Sequence, residues 1–184
     1  QRRPTEEKNM SPSTSPSAYA TPTAANAVRI ERLLPGPIER IWAYLTDGEL
    51  RRRWLASGDM ALAVGAPFEL VWRNDELTDP PGQRPEGFDV EHRMQSHVIE
   101  VEPPHRLSFA WRDGEVTFTL ERRGEQVLLT VFHRGISDRN NMLMIGAAWH
   151  THLDALVAST RAGAPTPFWD QWASLRAEYD QLLP

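Results

Sequence analysis

The stretch RLSFAWRDGEVTFTLERRGEQVLLTVFH, residues 106–133, decides the architecture. It holds three runs of alternating apolar and polar residues, 106–112, 115–122 and 126–133. Asp113-Gly114 and Gly124-Glu125 separate them, and Asp-Gly between alternating runs is a strong hairpin signal. A fourth run, 92–102, precedes them across Pro103-Pro104. Consecutive strands this closely spaced pair with their neighbours, so the four form an antiparallel meander. Alternation assigns their faces. Leu107, Phe109 and Trp111 share one face with Val116, Phe118 and Leu120, and with Leu129, Val131 and His133. A sheet with one apolar face needs a helix to cover it.

Downstream lies that helix. The pattern predicts it from Ser137, as N-cap, to about Ala162, with Gly163 as its stop. Met142, Ile145, Trp149, Leu153 and Leu156 point back at the sheet, and Gly146, Ala147 and Ala148 beside Trp149 carry little volume. Upstream, Val28–Leu34 reads as a strand. Pro37 opens a helix whose Ile38, Ile41, Trp42 and Leu45 share a face, and Asp47 caps a short helix over 48–54. Ala61–Val64 and Phe68–Arg73 read as a hairpin turning at Gly65. Asn74–Asp89, rich in Pro, Gly and acids, is a long loop, and a loop this long inside a domain is often functional or mobile. A lid is one reading and a plain surface loop the other.

Four pieces of the chain, in order, carry a resemblance. They are Arg40–Leu50 closed by Arg53-Trp54; Val101–Trp111 around the diproline; Val116–Glu121 with Leu129–Gly135; and the helix bearing Trp149, Leu153 and Leu156. Together they resemble the C-terminal domain family of the Hsp90 ATPase activator. That family belongs to the START-like superfamily, with the polyketide cyclases and birch-pollen allergens. The resemblance implies an α+β helix-grip fold, a curved antiparallel sheet wrapped around a long C-terminal helix. It also implies a cavity between the two. The residues placed to line it are Trp54, Phe68, Trp72, Phe109, Trp111, Phe118, His133, Trp149 and Leu153. From the residues alone, close packing with no void is the competing reading. Where the family often has Gly before the helix Trp, this chain has Ala148.

The expected organisation is a Pro/Ser/Thr-rich tail over 1–26, a domain over 27–163, and an added amphipathic helix over 164–184. That helix carries a stripe of Phe168, Trp172, Leu175, Tyr179 and Leu182. The stiff linker Gly163–Pro167 favours carrying it to a second copy, giving a homodimer. The alternative folds it onto its own chain.

The net charge of −5 in 184 residues argues against a nucleic-acid partner, which needs a basic face. Arg51-Arg52-Arg53 and Arg122-Arg123 read as solvated surface. There is no cysteine, so thiolate chemistry and disulfides are excluded, in keeping with a cytoplasmic address. No apolar run reaches the ~20 residues of a membrane span. His150 and His152, two apart on a helix, cannot form an i,i+4 zinc pair. No nucleophile elbow, P-loop or dinucleotide fingerprint is present. No catalytic residue, metal or cofactor is therefore assigned. The reading is a binding domain for a small apolar or aromatic molecule. The alternatives are a cyclase or aromatase that shapes a flexible substrate, with His133 assisting, and a chaperone-contacting domain.

Overall fold

The computed structural model describes residues 17–184. The first sixteen residues of the expected Pro/Ser/Thr-rich tail lie outside the described residues. Seven strands form one antiparallel sheet: β1 Thr21–Ala24, β2 Ala27–Pro35, β3 Pro67–Trp72, β4 His92–Glu102, β5 Arg106–Trp111, β6 Gly114–Arg123 and β7 Gln126–Arg134. Their spatial order is β1-β2-β7-β6-β5-β4-β3. The sheet curves around a 23-residue helix, α3 (Arg139–Arg161), as the helix-grip reading expects. Two short helices, α1 (Ile38–Thr46) and α2 (Gly48–Arg51), follow β2, and α4 (Phe168–Leu182) ends the ordered elements.

Local chemistry explains most of these elements. Asp47 caps α2 by accepting from the Glu49 and Leu50 amides. The turn after Trp111 needs Gly114, because a Cβ there would sit 2.1 Å from the Arg134 carbonyl oxygen. The N-cap of α3 is Asp138 rather than Ser137, its carboxylate accepting from the Asn141 amide at 2.8 Å. The left-handed residue that stops α3 is Ala162, not Gly163.

Two strand readings change. Ala61–Val64 is not a strand. The Gly65 amide donates to the Val98 carbonyl and the Val98 amide to the Ala66 carbonyl, so this segment hangs on β4, and β3 pairs with β4 directly. The seventh strand comes instead from the end of the expected tail. Thr21–Ala24 is exposed throughout and pairs with β2. It has no apolar alternation to betray it.

Two arginines are also buried. Arg51, expected to be solvated, is 1 % exposed. Its guanidinium donates to the carbonyls of Leu45, Thr46, Ala56 and Gly58. It thereby ties the unpaired carbonyls at the end of α1 to the loop before β3, as helix ends require. Burial lowers its pKa to about 10, with Asp47 and Asp59 opposing, and it stays charged at neutral pH. Arg32 lies on the inward face of β2 and donates to Asp154 of α3 and to the Ala18 carbonyl.

α3 is buried on two sides. Trp149, Leu153 and Leu156 belong to the main core, whereas Gly146 faces the Tyr179 ring of α4. The Tyr179 hydroxyl accepts from the Ala20 amide at 2.7 Å and lies 2.9 Å from His150 Nδ1. The other ring nitrogen of His150, Nε2, lies 3.5 Å from Asp154 Oδ2. Gln171 donates to the same carboxylate. The added helix is thus bound to its own chain through Phe168, Trp169, Trp172, Leu175 and Tyr179, all buried. Leu182 of the expected stripe is exposed, and Leu183 takes its place.

Candidate ligand-binding site

β3 brings Phe68 and Trp72 to the concave face, β5 brings Phe109 and Trp111, β6 brings Phe118, and β7 brings His133. α3 lays Trp149 and Leu153 over them, and the turn after α2 adds Trp54. Strand pairing makes this convergence necessary. Phe109 is opposite Val116, and Val116 is opposite His133, so their side chains share a face. All nine residues expected at the site are brought together. Eight are buried; Trp111 is half-buried.

The rings form one connected layer. Trp111 lies 5.2 Å from Trp72, 4.9 Å from His133 and 5.8 Å from Trp149 between ring centroids. Phe118 meets Trp149 edge-on at 5.8 Å, Phe109 at 5.5 Å and Trp54 at 6.2 Å. Phe68 meets Phe109 at 5.8 Å. Most of these pairs are T-shaped or tilted, the arrangements that the ring quadrupole favours. The small residues of α3 divide: Gly146 turns to α4, Ala147 is buried and Ala148 is half-buried.

Two polar pairs lie in this apolar layer. Trp54 Nε1 donates to the Tyr44 carbonyl at 2.9 Å. Trp149 Nε1 donates to His133 Nδ1 at 2.9 Å. Burial lowers the His133 pKa to about 4, so the ring is neutral at physiological pH. His150 and His152 lie apart from this pair and point to different sides of α3, the latter as their spacing requires. His150 faces α4, and His152 Nδ1 lies 2.8 Å from the Trp54 carbonyl oxygen. Among the described residues no group of three or more His, Asp or Glu is placed to hold a metal ion.

The hollow that the structure does record lies elsewhere, and sequence reasoning did not find it. It is half-open, about 340 Å³, and lies on the flank of α3 under the linker to α4. Thr78, Asp154, Arg161, Phe168 and Gln171 are among its lining residues. It forms because α4 folds back onto α3, a tertiary event with no local signal.

The loop between β3 and β4 is held by α4. Trp169 Nε1 donates to Asp75 at 2.7 Å, the Phe168 amide to Thr78 Oγ1, the Trp169 amide to the Pro81 carbonyl, and the Gln83 amide to Asp170. Phe88 packs edge-on against Trp169 and Trp172.

Residues 35–160 match the family described as activator of Hsp90 ATPase homolog 1-like protein. Among solved structures, a Bordetella parapertussis protein is 37 % identical with a TM-score of 0.76; the match covers 94 % of this chain and 95 % of that one. CalU16 from Micromonospora echinospora is 22 % identical with a TM-score of 0.62, covering 85 % and 87 %. A conserved protein of unknown function from Enterococcus faecalis is 17 % identical with a TM-score of 0.64, covering 85 % and 84 %. No curated protein matches. The matched span takes in α1 to α3 and all the strands from β3 to β7, and on that ground the chain belongs to the activator of Hsp90 ATPase homolog 1-like family.

Proposed function

We propose that the domain binds a small apolar or aromatic molecule within the aromatic layer between the sheet and α3. One observation carries this reading. Trp111 is half-buried at the end of β5, yet its ring touches Trp72, His133 and Trp149. An unbroken aromatic path therefore runs from the surface to the buried layer. Ile145 and Ala148, flanking Trp149 on α3, are half-buried as well. Small-molecule sites are built mostly of apolar and aromatic groups with a few placed polar ones, and the His133–Trp149 pair supplies the polar element. The nine residues from Trp54 to Leu153 named from the sequence are the proposed lining. The cyclase-type and chaperone-contact readings rest on resemblance alone. The cytoplasmic address is likewise a proposal, resting on the cysteine-free composition. Among the described residues no helix is long and apolar enough to cross a membrane. A homodimer joined through α4 is disfavoured, because that helix already buries its stripe within the chain.

The test is titration of the full chain with N-phenyl-1-naphthylamine, followed by tryptophan emission and dye fluorescence. Saturable quenching that weakens in Trp149→Ala supports the reading. Unchanged tryptophan emission at saturating dye, with no small molecule retained in native mass spectra, overturns it.

A further inference from the structure

The tautomer of His133 is fixed by its neighbour. An indole N–H is only a donor. Because Trp149 Nε1 donates to His133 Nδ1 at 2.9 Å, Nδ1 carries no proton, and the single proton of the neutral ring sits on Nε2. That Nε2–H has no hydrogen-bond partner among the described residues. Yet it is not sealed in. Among the described residues the one fully enclosed side-chain N or O without a partner is Asn74 Oδ1, so His133 Nε2 keeps a trace of exposure although the residue is only 2 % exposed. The ring beside it is Trp111, the half-buried member of the aromatic layer. A buried donor left unpaired is costly, and sites built to hydrogen-bond a ligand reject analogues that lack the matching group.

We infer that His133 presents a fixed Nε2–H donor to the bound molecule, which is therefore a flat apolar compound carrying a neutral carbonyl oxygen. This rests on the proposed binding reading and adds the ligand class to it. A carboxylate fits less well than a ketone or quinone, because a charge in this apolar layer loses its hydration. Burial keeps the ring neutral to about pH 4, so the donor does not change over the physiological range.

The experiment compares two probes of nearly equal shape, 1-tetralone and tetralin, on the full chain. Binding is read from the Trp149 indole resonance and from calorimetry. The expected result is that tetralone binds about tenfold more tightly than tetralin, the order set by leaving one buried donor unpaired. His133→Phe should bring the two affinities together. With histidine-labelled protein, the Nε2 resonance should shift with tetralone and not with tetralin, a response that a purely structural His133 would not give. Should His133→Phe fail to fold, Trp149→Phe serves instead: it frees Nδ1, lets the proton exchange between nitrogens, and should reduce the tetralone preference. Equal affinities in the unaltered protein overturn the inference, because the donor then rests on the Trp111 ring. Binding of neither probe overturns it together with the binding reading beneath it.

Discussion

His133, His150 and His152 are each shifted by burial to a pKa of about 4, with Arg32 adding to the effect on His150 and Asp154 opposing it. The sign follows from which state takes the proton first. Below pH 6.5 the unfolded chain begins to protonate these rings while the folded chain does not, so acid favours unfolding. The stability tied to neutral rings is complete above about pH 6.5 and is lost as pH falls toward 4. At full effect the loss is roughly 3 kcal/mol each for His133 and His152, taking about 1.4 kcal/mol per pH unit, and less for His150, where Asp154 opposes the shift. Denaturant titrations at pH 7 and 4.5 should show a large drop in midpoint, and the ring signals of these three residues should stay still between pH 7 and 5. A stability flat across that window would contradict the burial described for them. Strand alternation was enough to place His133 on the inward face. Its pairing with Trp149 was not legible, because the seating of α3 over the sheet is a tertiary fact. Arg32 had a visible signal, since it alternates with Val28, Ile30 and Leu34. Arg51 had none, because its carbonyl partners come from two separate turns of chain.

The strands with a strong pattern and a clear turn were legible as elements, and so were the long helix and the stripe of α4. Those whose hydrogen bonds are decided by a distant partner were not. Ala61–Val64 looked like half of a hairpin, but the Ala61 and Ala63 carbonyls accept locally from the Ala63 and Ala66 amides, and only Gly65 and Ala66 after it bond to β4. β1 exists because β2 offers it an edge. The partner of α4 was equally invisible. The helix packs on α3 and holds the β3–β4 loop, and an alignment covering 94 % of this chain with the Bordetella protein leaves too few residues out to omit α4 entirely. Trp169→Phe keeps the ring but removes the N–H bonded to Asp75 at 2.7 Å. It should lower stability by about 1–2 kcal/mol and raise amide exchange between residues 75 and 88 more than elsewhere. Uniform exchange across the chain would show that α4 does not hold this loop.

At the scale of the whole molecule, α4 and the Ser17–Ala24 segment close one side together. Tyr19 stacks edge-on with both His150 and Tyr179, and the Ala20 amide reaches the Tyr179 hydroxyl. A chain ending at Gly163 should therefore expose an apolar strip on α3 and self-associate, while the full chain should run as a monomer in light scattering at micromolar concentration. A full-length dimer that becomes a monomer on truncation would reverse this assignment.

The order of strands in the sheet also sets a timetable for synthesis. Ile30 pairs with Val131, so β2 leaves the ribosome roughly a hundred residues before its partner, a wait of about 5–20 s at ordinary translation rates. Among themselves the strands from β3 to β7 pair only with sequence neighbours, and those pairings need no such delay. The nascent chain should thus assemble its meander first, with β2 and α1 waiting beside it as an unpaired strand and an uncovered apolar helix. Only after β7 emerges does the early strand find its edge, and α3 then has a finished trough to lie in. The interval before that closure is when a chaperone binding exposed apolar segments has most to hold.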